Sequence, residues 1–351
     1  MTESEITNRR FGREFVAEQR RRYGHRSPEQ RELTYDIAVE DQYEPWRQWL
    51  DDQLSLLPAH DAETLAGKVW VDKDFWTVNF ELAVGAWLRE QELWVAYEQE
   101  WDGVTPDWTI LSDTGQPMGF VEVHTHNPAA DIYAQMKSWH ALVERIKSIP
   151  VPVVLRLAPA NEPPIPPDAG TAKKITHELR SALLEASEQA AFTTCGYTFV
   201  VVGDRRRDGR QKVSPYGMQA AFEPPSSLAG SVSAHSLLER VKEKVRKYRP
   251  LANRHQVPLS VAVGAHRFTG VQLRHVDEAL AGAEAPIINL QFGTGDPWVE
   301  ETVPWTPVEP WEMPADLAEL LWIDNGSWPF TITRRPNPGG RTTPAHECPS
   351  T

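Results

Sequence analysis

The sequence predicts an α/β (α+β) chain in which helices flank a mixed sheet, and three observations predict it. Phe80, Val84, Trp87 and Leu88 recur at helical spacing over 75–91. Short β-rich runs follow at once, at 94–97 and across 107–124. A second amphipathic segment, 129–147, then leads into the apolar run 151–157. The order helix, strand, strand, strand, helix, strand implies a right-handed crossover and a mixed sheet.

Taken in order, residues 5–60 read as polar helices with Trp46, Trp49 and Leu50 as docking points, making 1–70 an N-terminal helical arm or cap. The helix at 75–91 carries Glu81 one residue beyond Phe80, and Trp94–Tyr97 is a strand. Asp107 opens the next apolar run and Glu122 lies near the end of the one after it. Between them Ser112-Asp113-Thr114-Gly115-Gln116-Pro117 supplies a turn, so the pair is a β-hairpin with a loop longer than two residues. Ile132, Met136, Trp139, Val143 and Ile146 mark the 129–147 helix. The proline-rich break APANEPPIPPDAG at 158–170 closes a core of 71–160 and opens a C-terminal α/β region, 171–335. That region is expected to hold a helix at 171–191, a strand Tyr197–Val202 and a loop over 203–232. A helix at 234–248, a strand Leu259–Val263 and two runs, 320–323 and 330–333, separated by Asn325-Gly326, complete it. Residues 336–351 form a loosely attached tail.

Composition bounds the function. A 40% hydrophobic content with 14 tryptophans belongs to a folded chain able to bury a sizeable core. No run approaches a membrane span and the start lacks the apolar core of a signal peptide, so a cytoplasmic protein with no membrane partner is expected. Cys195 and Cys348 have no zinc-ligand spacing and no disulfide is expected of them. The formal net charge of −13 excludes a broad nucleic-acid-coating surface, although a nuclease needs only a local basic track. The arginines at 9, 10, 13, 20, 21, 22 and 26 read first as a solvated helix face.

Glu122, flanked by Phe120, Val121 and Val123, is a carboxylate on a half-buried strand and needs a partner. Asp107 follows Pro106 and by itself is an ordinary strand-entry residue. Brought together on adjacent strands, the two can hold a hard divalent cation, which favours oxygen ligands. Pro106-Asp107, Glu122-Val123-His124 and the helix residue Glu81 together resemble the PD-(D/E)XK nuclease superfamily over about 76–157. The resemblance implies a restriction-endonuclease-like mixed sheet and hydrolysis of phosphodiester bonds, in DNA ahead of RNA. It implies Mg²⁺ or Mn²⁺ bound by Asp107, Glu122 and the Val123 carbonyl, with Glu81 assisting.

The chain departs from the motif at its last position, where the family's lysine is His124. Histidine can serve as general base, hydrogen-bond donor or metal ligand. Lys137 on the following helix is a candidate replacement, and Gln135 with Trp139 weakly echoes a glutamine–tyrosine helix motif of exonuclease-like members. The cluster Lys242, Lys244 and Lys247 could contact phosphates, or simply complement a helix C-terminus. His124-Thr125-His126 also resembles the HxH metal site of amidohydrolase-like barrels, although the eightfold strand–helix alternation is absent. Nucleic acid is thus the expected partner, with a homo-oligomer as a further expectation. A catalytically silent nuclease-fold module that binds nucleic acid or protein is the alternative of a different class.

Overall fold

The computed structural model describes residues 9–158, 164–185, 191–204, 217–225, 234–266, 269–282, 309–326 and 328–341. Cys348, the tail beyond 341 and most of the 203–232 loop lie outside these residues. Helices flank two mixed sheets, the α/β (α+β) architecture expected. No helix among the described residues is long and apolar enough to cross a membrane.

Four helices lead in: α1 (Arg13–Tyr23), α2 (Tyr35–Val39), α3 (Glu44–Ser55) and α4 (Ala59–Lys68). They are more than a cap. Phe11, Leu50, Leu54, Leu57 and Leu65 bury their side chains in the same apolar cluster as the helix α5 (Asp72–Glu90) and the first sheet. Leu50 and Leu54 are four apart and therefore share one face of α3, which is what draws the helix inward.

The strands β1 (Trp94–Tyr97), β2 (Trp108–Leu111) and β3 (Pro117–His126) form an antiparallel meander with the expected hairpin. The first sheet then continues with β8 (Leu259–Ala265), β9 (Glu319–Asp324) and β10 (Thr331–Pro336), in the order β1-β2-β3-β8-β9-β10. The pairs β3–β8 and β8–β9 are parallel, and β9–β10 is antiparallel.

Here the expected crossover differs from the observed one. The helix α6 (Ala130–Lys147) does lead into β4 (Val153–Leu157), but β4 does not join the hairpin's sheet. It lies inside a second sheet with β5 (Ala191–Thr194), β6 (Tyr197–Asp204) and β7 (Ala221–Glu223), in the order β5-β6-β4-β7. Trp139, Leu142 and Ile146 of α6 pack with Leu155, Phe199 and Phe222 of that sheet and with α7 (Ala169–Glu185). The apolar stripe of α6 finds its match there, so the strand following it pairs there too. The break at 158–170 consequently does not separate the strands of the two sheets.

The helix that returns the chain to β3 is α8 (His235–His255), immediately before β8. The sequence pattern places its end near 248. It runs through Pro250 because Leu251 and Ala252 continue its buried stripe, offsetting the one backbone hydrogen bond that proline removes. A short helix, α9 (Leu273–Ala281), follows β8. The first sheet is thus sandwiched: Trp108, Val121 and Val123 face α5, while Phe120, Val261 and Val263 face α8. Two glycines let α5 lie close to the sheet. A Cβ on Gly85 would stand 2.2 Å from the Trp108 ring, and one on Gly264 2.4 Å from the Phe80 ring.

Candidate active site

Asp107 sits one residue before β2, where the meander opens. The antiparallel ladder ends at the pair Trp108–Val121, leaving the next backbone donor of β3 without a strand partner. Asp107 takes that place: its Oδ2 accepts the Val123 N–H at 2.6 Å. Its own N–H donates to Glu122 Oε1 at 3.1 Å, so the two acidic residues are interlocked through backbone and side chain.

Alternation along β3 decides what else they meet. Phe120 N–H bonds Pro258 on the β8 side, at 3.0 Å, and His126 C=O accepts from His266, also on that side, at 2.8 Å. Even-numbered residues therefore turn their backbone groups toward β8, and odd-numbered ones turn theirs toward β2. The Val123 carbonyl consequently lies on the edge that Asp107 occupies, beyond the end of β2.

The Glu122 side chain points to the α8 face and is fully buried. It is met there by Lys244, whose Nζ donates to Oε2 at 2.7 Å. The Tyr248 hydroxyl, four residues on, also faces Glu122 and donates to the Thr105 carbonyl at 3.2 Å. Glu81 comes from the other face, on α5. Its Oε2 accepts from the Tyr97 hydroxyl at 2.8 Å, and its carbonyl accepts the buried Trp108 indole N–H at 2.9 Å.

Electrostatics follow from this crowding. Burial, and then the Asp107 charge, push Glu81 up to about 7 and Glu122 up to about 7. Burial also raises Asp107, with Lys244 pulling it back. Burial works against the Lys244 ammonium, but the Glu122 and Asp107 carboxylates prevail and hold its pKa above the usual lysine range. Burial and the Lys244 charge push His124 down to about 4, so its imidazole is neutral at pH 7. The His124 Nε2 is buried without a hydrogen-bond partner.

Of the residues singled out in the sequence, Asp107, Glu122, Val123, His124 and Lys244 come together at this strand end, with Glu81 beside Asp107. Lys137 does not join them. Its ammonium goes to Asp72 at 3.5 Å. Gln135 is exposed on α6, whose inward face belongs to the second sheet. Lys242 turns to Glu239 at 2.7 Å, and Lys247 to the Tyr248 hydroxyl at 2.7 Å. Tyr97 and Tyr248 were not singled out. Tyr248 was legible, since Val241, Val245 and Tyr248 lie on one helix stripe, and Lys244 sits within it.

The site's donors are all oxygen, the preference of Mg²⁺ and Mn²⁺. The ligand atoms of Glu81, Asp107 and Glu122 do not converge within 4.8 Å of one another; among the described residues the group that does is Asp36, His140 and Glu144. No protein-family model, curated protein or solved structure matches the chain.

Proposed function

We propose that this chain is a divalent-metal-dependent nuclease hydrolysing phosphodiester bonds, in DNA ahead of RNA, at the open end of the β2–β3 hairpin. One observation carries the reading: the buried Glu122 meets the Lys244 ammonium from α8, on the strand face to which His124 also belongs. An acidic pair on adjacent strands and a neighbouring amine are the groups that the resemblance calls for. The amine here arrives from a helix instead of from position 124.

The donor set fits the ion. Asp107, Glu122 and the Val123 carbonyl would hold Mg²⁺ or Mn²⁺, and bound there the ion would polarise a phosphate oxygen and favour ionisation of water. Burial holds both carboxyl groups above their usual range, a cost that a cation relieves. Lys244 keeps its proton at Nζ and offers it to a phosphate oxygen, stabilising charge that develops there. His124, neutral, lies on the same strand face with its Nε2 buried and unpaired. Tyr248 keeps Lys244's side of the site in register through Thr105. Lys247, exposed on α8 and resting on the Tyr248 hydroxyl, would supply a phosphate contact that positions the substrate without reading its sequence.

A second reading, a silent nuclease-fold module, is favoured by one observation. Glu122 already holds Lys244 and Asp107 already holds the Val123 N–H, so the pair is satisfied without a metal. Incubation with linear, circular and single-stranded DNA and with RNA, in Mn²⁺ or Mg²⁺, separates the two. The nuclease reading expects cleavage that disappears in folded Asp107→Asn and Glu122→Gln proteins. Absence of cleavage together with absence of Mn²⁺ binding by calorimetry would leave the silent module.

A further inference from the structure

A second cluster of metal-ligating groups lies away from the hairpin, where the N-terminal helices meet α6. His140 and Glu144 are four residues apart and share one face of α6, and Asp36 comes from the first turn of α2. One ligand atom from each lies within 4.8 Å of the other two, with all three residues half-buried. An imidazole nitrogen and two carboxylate oxygens, drawn from two elements that pack together, make a donor set suited to a first-row divalent ion.

The surroundings add an independent observation. Asp36 and His140 line a cavity of about 260 Å³ walled by Tyr43, Trp46, Phe75, Trp76, Tyr133 and Trp328. Asp72 also lines it. The Asp72 side chain is 6% exposed; its Oδ1 accepts the Thr34 N–H at 3.3 Å, the Tyr133 hydroxyl lies against the carboxylate, and Oδ2 is left without a well-placed donor. The cation nearest to that oxygen, Lys137, stays 3.5 Å away, and the one nearest to Glu144, Lys147, stays at 3.8 Å from Oε2 while donating to Glu40 at 2.7 Å. Asp36 and Asp72 thus line one partly enclosed space together with His140, and Glu144 meets Asp36 beside it. A buried carboxylate oxygen in this position costs free energy until a donor or a cation meets it.

We propose that Asp36, His140 and Glu144 bind one divalent transition-metal ion, Zn²⁺ in preference to Mn²⁺, at the wall of this aromatic cavity. The preference follows from the imidazole ligand and from the general affinity order for nitrogen and oxygen sites. Three protein ligands leave at least one position for water or for a group entering the cavity, as in zinc sites that are not purely structural. The ion also ties α2 to α6 beside the ion pairs Arg145–Glu29 and Lys147–Glu40. This site is independent of the hairpin, and neither proposal requires the other.

The test uses the full chain, stripped with chelator and desalted. It is titrated with Zn²⁺ by calorimetry, and with Co²⁺ while the visible d–d absorption is followed. The proposal expects a saturable site in the parent protein that persists when the hairpin carboxylates are replaced. His140→Ala and Asp36→Asn should weaken it by well over the ~10–100-fold that loss of an outer-shell partner brings. Asp107→Asn with Glu122→Gln should leave it unchanged. Circular dichroism checks folding, and if His140→Ala does not fold, Asp36→Asn and Glu144→Gln decide. The proposal is overturned if the parent protein binds neither ion, if the Asp36, His140 and Glu144 variants bind as the parent does, or if binding follows Asp107 and Glu122.

Discussion

The two sheets of this protein differ in how much charge they bury. The four-stranded sheet is held by an apolar cluster in which Phe199, Phe222, Leu155 and Trp139 interdigitate. The six-stranded sheet buries Glu122 and Glu319 on its interior strands, each met by a cation, Lys244 in one case and Arg334 in the other. Sequestering a charge is costly unless it is paired and hydrogen-bonded. A sheet that carries such residues gives up stability that aliphatic residues would supply. The difference is one of degree: the four-stranded sheet buries one carboxylate, Asp204 at the end of β6, whereas the six-stranded sheet buries two glutamates on interior strands, each paired with a named cation.

The sharpest way to break that contrast is to cut into each sheet and compare. Phe199→Ala removes a fully buried ring from the four-stranded sheet and is expected to cost about 3–5 kcal/mol in chemical denaturation. It should leave the metal dependence of any cleavage by the remaining folded protein unaltered. Glu122→Gln should instead lower cleavage by about 10²–10³-fold, the scale of losing one transition-state-stabilising group, and it also costs stability because it leaves the Lys244 ammonium without its carboxylate. Equal effects of both changes on stability and activity would erase the division.

Gly85→Ala comes next in size. Its methyl group would meet the Trp108 ring, pushing α5 and Glu81 off the sheet, and overpacking of this kind typically costs about 1–3 kcal/mol. Denaturation midpoints check it, and an unchanged midpoint would show that α5 is free to shift.

Glu81→Gln has an effect confined to the upper pH range and the most specific signature. Burial, and then the Asp107 charge, raise Glu81 from 4.5 to about 7, so the folded protein binds its proton more tightly than the unfolded chain does. The associated stability is present below pH 4.5 and is lost as pH rises through about 7. Glutamine removes that dependence. The variant should match the parent near pH 4.5 and exceed it at pH 8 by about 1–3 kcal/mol. Parallel melting curves across this range would contradict the assignment.

How much of this was legible beforehand depended on how local each signal is. The hairpin, α5 with Glu81, and the strand at Leu259 were readable because periodicity and turn residues lie within a few positions of one another. The partner of β3 was not. A parallel strand is joined by a long connection, and nothing local says that Val123 pairs with Ala262 and not with a residue of 151–157. The β5–β6 hairpin was missed because Cys195 and Gly196, both at positive φ, form its two-residue turn without the usual Asn-Gly or Asp-Gly. Lys244 was named as part of a basic cluster. The apolar stripe of Val241, Val245 and Tyr248 was enough to single it out from Lys242 and Lys247, since position 244 falls on the buried side of α8.

The central claim rests on Lys244, and the most direct measurement is the Mn²⁺-dependent cleavage rate of linear DNA by the parent protein, Lys244→Met and Lys242→Met. The account predicts a loss of about 10²-fold or more for Lys244→Met, with Lys242→Met near the parent, because only Lys244 reaches Glu122. Equal rates for all three proteins, or an equal loss in both variants, would contradict a catalytic site at the β2–β3 strand end.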